Sequence, residues 1–504
     1  MKARYPLTLL CVALSLSMTA CTGGPTNNTS AATATGDAPY EIAMTYMTLG
    51  QTPADLDKVE EKVNEITMAK INATVKFLPM SIFERESQVQ LMISSGEKLD
   101  LMMSTFNNGI SDYVNSGELL PLDDMYAQYG DGIKQAESVA ISGGYYGDHL
   151  YAIPTTAKSG RTLGMLIRKD MADKYNLTNL VNPTYEDLDA FFARVKAGEG
   201  PDFYMFAISG SNLETFGYFQ PYDKLGSSEA SGVLMNAGKD NTTVVDPFET
   251  EQYKTHLEWM RKWYQAGYIQ ADAVTTDGNN TDLMRTGNYL GVLTFTEVDA
   301  ATSFANEIGM DAVAVSIGGT TSTTDQFQDA MWTIPITSQD PTTTFKFLNL
   351  MYSDTELTNL LTYGIEGVHY VFTDEPDIIT YPDGVTADNS GYPPRFNFYG
   401  DNSKCLMFAP TTEAYYTDLK EFNASVTDAV KSQALGYTYN SENVKTEFAA
   451  VNDVITQYRA SLEAGAVDPD STLPKFIAAL KSAGIDKIIA DNQQQLNDWL
   501  ASNK

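Results

Sequence analysis

Residues 40–80 read YEIAMTYMTLGQTPADLDKVEEKVNEITMAKINATVKFLPM, and the fold class follows from the rhythm of their apolar positions. Tyr40 to Met47 predicts a strand that stops at a turn around Gly50. Thr52-Pro53-Ala54-Asp55 carries the chemistry of a helix start: Thr52 is placed to cap, Pro53 suits the first turn, and Asp55 can return a bond. Leu56, Val59, Val63 and Ile66 then recur at three- and four-residue spacing, which predicts one buried stripe. Thr74 to Leu78 is a second strand. A helix over about Ile82–Ser94 ends near Gly96, and Leu99 to Met103 is a short apolar strand. Strand, helix, strand, helix, strand with short connections requires a mostly parallel sheet covered by helices.

The alternation resumes downstream. Thr162–Ile167 predicts a strand running into a helix at Arg168-Lys169-Asp170. Tyr185–Ala197 is a helix, Tyr204–Ser209 a strand, and Phe248–Ala266 an aromatic-rich helix closed by Gly267. Leu290–Thr296 and Met310–Val315 are expected to be buried strands, and the chain turns mainly helical from Pro341. Val444, Phe448, Val451, Ile455, Tyr458 and Leu462 form a one-sided stripe stopped by Gly465. Pro474 is expected to open a short helix to Ala483, and Asp486 to cap the last one. These apolar positions read as core packing, and no internal repeat is present.

Lys2 and Arg4 precede an uncharged run from Leu7 to Ala20. That run is too short to span a bilayer and lacks a basic stop, so residues 1–20 are expected to be a signal peptide. The exit Leu16-Ser17-Met18-Thr19-Ala20-Cys21 resembles a bacterial lipobox, which implies a lipid on Cys21. Met18 departs from the usual aliphatic residue, and ordinary cleavage is the competing reading. Thr22 to Ala38 has no large apolar side chain; residues 21–38 are expected to be a flexible leash with a root-mean-square span of about 20–25 Å.

Removing residues 1–20 leaves 484 of 504 residues and takes the formal charge from −32 to −34, by loss of Lys2 and Arg4. That length supports two or three domains. The charge argues for a solvated surface; with no basic stripe, no nucleic-acid partner is expected. Of three cysteines, Cys11 lies in the signal and Cys21 at the lipid site. Cys405 alone remains, so no internal disulfide can form, and it reads as a buried small residue.

Further segments are recognisable. Met92 to Met102 (MISSGEKLDLM), Tyr151-Ala152-Ile153-Pro154, Thr162 to Tyr175 with IRKDMADKY, and Tyr363 to Tyr370 (YGIEGVHY) all resemble segments of bacterial ABC-transporter extracellular solute-binding lipoproteins. The run from Val444 to Trp499, with AGAVDPD, LKSAGIDKI and QQQLNDW, resembles the DUF3502-type tail of the LipO/LplA-like subgroup. The resemblance spans nearly the whole mature chain in order. It implies an α/β, bilobal, periplasmic-binding-protein-like fold with a cleft between two lobes. Expected boundaries are 39–155 with 297–335 for lobe 1, and 156–296 with 336–504 for lobe 2, including the C-terminal helices. It also implies a carbohydrate ligand, permease transmembrane subunits as partners, a lipid-anchored location on the extracytoplasmic face of the cell membrane, and a monomer.

Catalytic and metal chemistry find little support in the residues. The three histidines, His149, His256 and His369, sit in unrelated segments without ligand spacing. Phosphate-loop and nucleophile-elbow motifs are absent. Asp277 to Asp282 lacks the calcium-loop spacing and its later Glu. No cofactor is expected. A glycosidase would need two carboxylates facing across a cleft, and nothing in the spacing singles out a pair. A peptide or other polar solute as ligand, and a fixed surface lectin, also stay open.

Ligands of open α/β sheets sit beyond the carboxyl ends of strands. That rule nominates Tyr46 and Thr48, then Phe106 and Asn107, Asn212 and Tyr218, Glu297, and Trp332 in a second crossing between lobes. Glu366, in the tight loop from Tyr363 to Tyr370, and Arg395 are further candidates. A pyranose offers an apolar C–H face and a hydroxyl rim, so aromatics beside Asn, Glu and Arg suit it.

Overall fold

The computed structural model describes residues 38–105, 110–136, 139–177, 182–210, 213–276, 279–394, 396–412 and 414–503. Strand β1 (Tyr40–Thr48) pairs in parallel with β2 (Ala73–Ser81) across helix α1 (Leu56–Ile71). Helix α1 buries Leu56, Val59, Val63 and Thr67, so the four-residue step to Thr67 takes the place expected for Ile66. Its cap position is Asp55 rather than Thr52. The Asp55 carboxylate bonds elsewhere, to Lys58 and His369. Helix α2 (Arg85–Ser95) ends on Gly96, whose φ of 72° lets its N–H turn back to the Met92 and Ile93 carbonyls.

The first sheet continues through Leu101, which bridges to Met44, into β3 (Met102–Thr105). After β4 (Ala152–Pro154) the chain leaves this sheet. It then builds a second from β5 (Arg161–Arg168), β6 (Tyr204–Phe206), β7 (Tyr289–Phe295) and β8 (Ala312–Thr321), in the order β8-β5-β7-β6. Helices α3 (Tyr185–Glu199), α4 (Glu251–Gln265) and α5 (Ala300–Ile308) flank it. The chain then returns as β9 (Ala330–Thr333), which pairs with both β3 and β4.

Each sheet holds one strand running against its neighbours: β9 in the first, β5 in the second. The cause is topological. Both are the first strand laid down after a crossing, so each enters at the cleft-facing edge where its neighbours end.

That crossing corrects the expected boundaries. Residues 300–321 belong to the second lobe, because α5 packs on β8 and β8 pairs with β5; the return begins only after Thr321. Helices α6 (Pro341–Ser353) and α7 (Thr355–Tyr363) pack Phe345, Leu348, Met351 and Leu361 into one core with Ile42, Val59 and Trp332. They belong to the first lobe, not the second. Helix α8 (Ala414–Ser425) starts the third crossing, which reaches the second lobe where Lys431 bridges to Ser322.

Helices α9 (Lys445–Glu463), α10 (Pro469–Ala483) and α11 (Ile485–Ser502) close the chain. Val451, Ile455, Leu462, Phe476 and Leu480 share a core with Tyr253 and Leu257 of α4. Helix α10 begins at Pro469 under an Asp468 cap, with Pro474 inside it, and α11 starts directly after Gly484 rather than under Asp486.

Candidate functional site

Three crossings meet between the sheets. Where the first runs beside the second, a Cβ on Gly160 would lie 2.5 Å from the Thr321 carbonyl oxygen, so only glycine fits there. Asn423 of α8 ties the third crossing to the first: its Oδ1 accepts from Ser159 N at 2.8 Å and its Nδ2 donates to Ala157 O at 2.8 Å. Gln328 in the second crossing donates to Gly143 O on one lobe and to Thr438 Oγ1 on the other.

A run of adjoining cavities, sharing lining residues, lies over these crossings. The largest, about 680 Å³, lies between Asp299 and Ser303 at the start of α5 and the first-lobe residues Tyr363, Tyr381 and Phe408, with Tyr415 and Tyr416 of α8. Lys158, Asn397, Asn402 and Tyr415 carry it into a second space of about 350 Å³ floored by Thr155, Gln326 and Phe327. Arg161 joins that space to two more. One of about 170 Å³ is walled by Tyr218, Phe295 and Glu214, and one of about 430 Å³ is walled by Asp112, Asn452 and Tyr439.

One end of this cleft is therefore aromatic and the other charged. At the aromatic end Tyr381 meets Phe408 edge-on at 4.7 Å, and Tyr415 meets Tyr416 at 5.6 Å. At the charged end the Arg161 guanidinium lies 4.4 Å from the Phe295 ring centre, pairs with Asp329, and donates to Gln326 O at 3.1 Å. Lys224 pairs with Glu229 at 2.8 Å and Glu214 at 3.3 Å, and Arg459 of α9 stands 3.5–3.6 Å from the same two carboxylates.

Behind this wall lies a buried polar chain. The Glu463 carboxylate of α9 accepts from the Thr215 and Phe216 amides, which open the helical turn carrying Tyr218. His256 Nε2 meets Thr215 Oγ1 at 2.8 Å and its Nδ1 meets the Tyr185 hydroxyl at 3.0 Å. Burial pushes Glu463 up to about 7 and His256 down to about 3, so the histidine is neutral. The C-terminal helices thus hold the backbone from which the cleft wall projects.

Residues 69–356 match the family of bacterial extracellular solute-binding proteins, more than half of the chain. The chain belongs to that family. Residues 433–501 of this solute-binding protein match a second family, a domain of unknown function (DUF3502). The chain is 26% identical over 500 residues to a carbohydrate ABC transporter substrate-binding protein of Streptococcus pneumoniae, covering 98% of this chain and 97% of that one. It is 23% identical over 395 residues to the polygalacturonan/rhamnogalacturonan-binding protein YtcQ of Bacillus subtilis, covering 73% and 74%. The crystal structure of the N-glycan transport solute-binding protein NgtS from S. pneumoniae superposes with a TM-score of 0.79 at 23% identity, covering 92% of this chain and 100% of that chain.

The solute-binding protein gathers few of the nominated residues at its cleft. Tyr218 lines it beside Phe295. Glu297 flanks it, but its carboxylate is engaged by Lys158 at 3.2 Å and by the Thr162 amide at 3.2 Å, which makes it a clamp between the first crossing and the end of β7. Tyr46, Thr48 and Trp332 are buried instead. Tyr46 packs on Phe77 and Tyr392, and the Trp332 indole donates to Phe398 O at 2.7 Å. Glu366 is exposed, in a loop held by His369, whose Nδ1 accepts from Ile365 N while Nε2 meets Asp55. Phe106, Asn107, Asn212, Arg395 and Cys21 lie outside the described residues. Cys405 is buried, and burial pushes its thiol up to about 12. Asn279 caps the helical turn Asn280–Arg285 by accepting from Asp282 N.

Lys158, Arg161, Asp325, Asp329, Asn397 and Tyr415 went unrecognised in the sequence. Four of them stand within seven residues of Tyr151-Ala152-Ile153-Pro154 or of Trp332. A search of the segments between sheets, rather than of strand ends, would have found those four.

Proposed function

We propose that this protein captures oligosaccharides outside the cell and delivers them to the membrane subunits of an ABC importer. The observation that carries the reading is the cleft itself: tyrosine and phenylalanine rings along one stretch, amides and carboxylates along the rest. Rings meet the apolar C–H faces of a pyranose, and Asn397, Asn402 and the acids meet its hydroxyls. A space of about 680 Å³ adjoining one of about 350 Å³ suits several linked sugars. The S. pneumoniae relative's description as a carbohydrate transporter component supports the same cargo. Each lobe supplies one wall, so ligand favours the closed form by binding it better.

The test is thermal melting against a glycan panel that includes Man5GlcNAc, since a ligand that binds only the folded state raises the melting temperature. Absence of any shift across mono- and oligosaccharides sinks the carbohydrate assignment. Capture without turnover is part of the proposal: a bound glycan recovered after long incubation should have unchanged mass, and shortened products would point to a glycosidase.

The proposal also places the protein as a monomer held to the extracytoplasmic face of the cell membrane through lipid on Cys21, with residues 21–38 as leash. The motif from Leu16 to Cys21 supports this. Cys21→Ala should release the protein from membranes into the soluble fraction; retention of the variant would end the anchoring claim.

A further inference from the structure

We propose that the cleft is built to take neutral glycans and to refuse acidic ones, a refinement that rests on the carbohydrate reading above. Among the described residues lining the adjoining cavities, three side chains are cationic: Lys158, Arg161 and Lys224. All three are occupied. Lys158 pairs with Glu297, Arg161 with Asp329, and Lys224 with Glu229 and Glu214.

Acids outnumber these cations in the lining. Asp112, Glu214, Asp299, Asp325 and Asp329 all face the cavities. Asp325 is central, since it borders both spaces around Arg161, and its Oδ1 is buried with no hydrogen-bond donor among the described residues. The crowding of negative charge is felt nearby: burial and then the Asp325 charge push Asp223 up to about 7.

Among the described residues, a uronate or phosphate entering here would meet no free cation. It would have to displace a carboxylate from an existing pair, leaving that carboxylate unpaired in a partly dry space. Like charges brought together at an interface are strongly disfavoured, which is how a site rejects a wrong partner. A neutral sugar meets the opposite situation. Its hydroxyls donate, and charge-assisted bonds to Asp299, Asp325 and Asp112 are stronger than neutral ones.

Isothermal titration with Man5GlcNAc, N-acetylated chitotriose and trigalacturonate tests this. The expected result is that trigalacturonate binds at least about tenfold more weakly than the better neutral glycan. The gap should narrow as salt rises from about 0.05 to about 0.5 M, because screening acts on repulsion between charges. Asp325→Asn should narrow it too; should that variant fail to fold, Asp112→Asn on the opposite wall replaces it. Trigalacturonate binding as tightly as the neutral glycans overturns the charge argument and leaves the carbohydrate reading intact. A gap that neither salt nor the aspartate variants change also overturns it, since discrimination would then be steric. Failure of all three glycans to bind, together with a flat melting panel, overturns both.

Discussion

Two groups of aromatic side chains lie within one layer of each other and serve different ends. Tyr46 and Trp332 stand on strands of the first sheet, at the edge where a parallel α/β sheet presents its ligand, and are 6% and 1% exposed. Tyr415 and Phe295 stand beside the crossings and remain partly exposed to the cleft. The difference comes from Tyr392 and residues 396–399. Tyr392 packs on Tyr46, Tyr399 lies 6.0 Å from Trp332, and the Phe398 carbonyl takes the indole N–H. These residues seal the sheet edge and substitute Asn397 and Phe398 as the lining. A strand end faces ligand only where no later segment has covered it.

The sharpest way to break that comparison is Trp332→Ala. Truncating a buried tryptophan leaves a cavity and an unpaired Phe398 carbonyl, so stability should fall by about 3–5 kcal/mol. Urea unfolding measures it. The folded fraction should still bind glycan within a few-fold of the native protein. Unchanged stability with lost binding would return Trp332 to the site.

Next in size is the buried carboxyl behind the charged wall. Glu463 is held up to about 7 by burial, against an ordinary value near 4.5. Between those values the native protein keeps a proton that the unfolded chain has released. Stability therefore falls as pH rises through that window, by up to about 3 kcal/mol from this group, and levels off above pH 7. Glu463→Gln cannot titrate, so its unfolding free energy should lose that downward slope between pH 4.5 and 7. Identical slopes in both proteins would mean that the carboxyl is solvated.

The same contrast explains what could be read from residues 40–103 and what could not. The parallel sheet was legible because each element reports its own periodicity: Leu56, Val59 and Val63 need only α1, and Met92 to Gly96 need only one helix end. The ligand wall was not, because it is built from segments far apart in sequence. Lys158, Asp325 and Asn397 come together only when three crossings converge, and no local pattern records that. Tyr46 and Trp332 misled for the same reason: nothing near residue 46 reveals that Tyr392 will cover it. The lobe boundaries failed at two points: the second crossing falls after Thr321 rather than near Glu297, and α6 and α7 stay in the first lobe with β9 instead of leaving it after residue 335.

Tyr415→Ala is the counterpart to the tryptophan change. Tyr415 borders both the aromatic space and the one below it. Its ring has the cleft on one side, so removal should cost little stability. Loss of one stacking platform should weaken glycan binding about tenfold, or about 1.4 kcal/mol. Titration against the best glycan of the panel reads this out. A stability loss like that of Trp332→Ala would show that both aromatics are core.

The smallest expected effect is at Asn423, which touches neither group but sets the distance between them. Its side chain accepts from Ser159 N and donates to Ala157 O, both at 2.8 Å, so it staples α8 and hence Tyr415 to the first crossing. Water can reach these half-buried partners, so Asn423→Ala should cost only about 1 kcal/mol in stability. Its consequence for binding is mechanical. Without the staple the crossings are less constrained, the open form gains population, and affinity falls by the fraction of closed-competent molecules lost. Asn423→Asp separates the two bonds: it still accepts from Ser159 N but cannot donate to Ala157 O. If the staple works through both, the aspartate variant should fall between the native protein and the alanine variant in glycan affinity, and in the unliganded radius of gyration measured by small-angle scattering. Native-like values for both variants would show that the Gly160–Thr321 contact alone fixes the crossings, and that the aromatic and charged ends hold their spacing without α8.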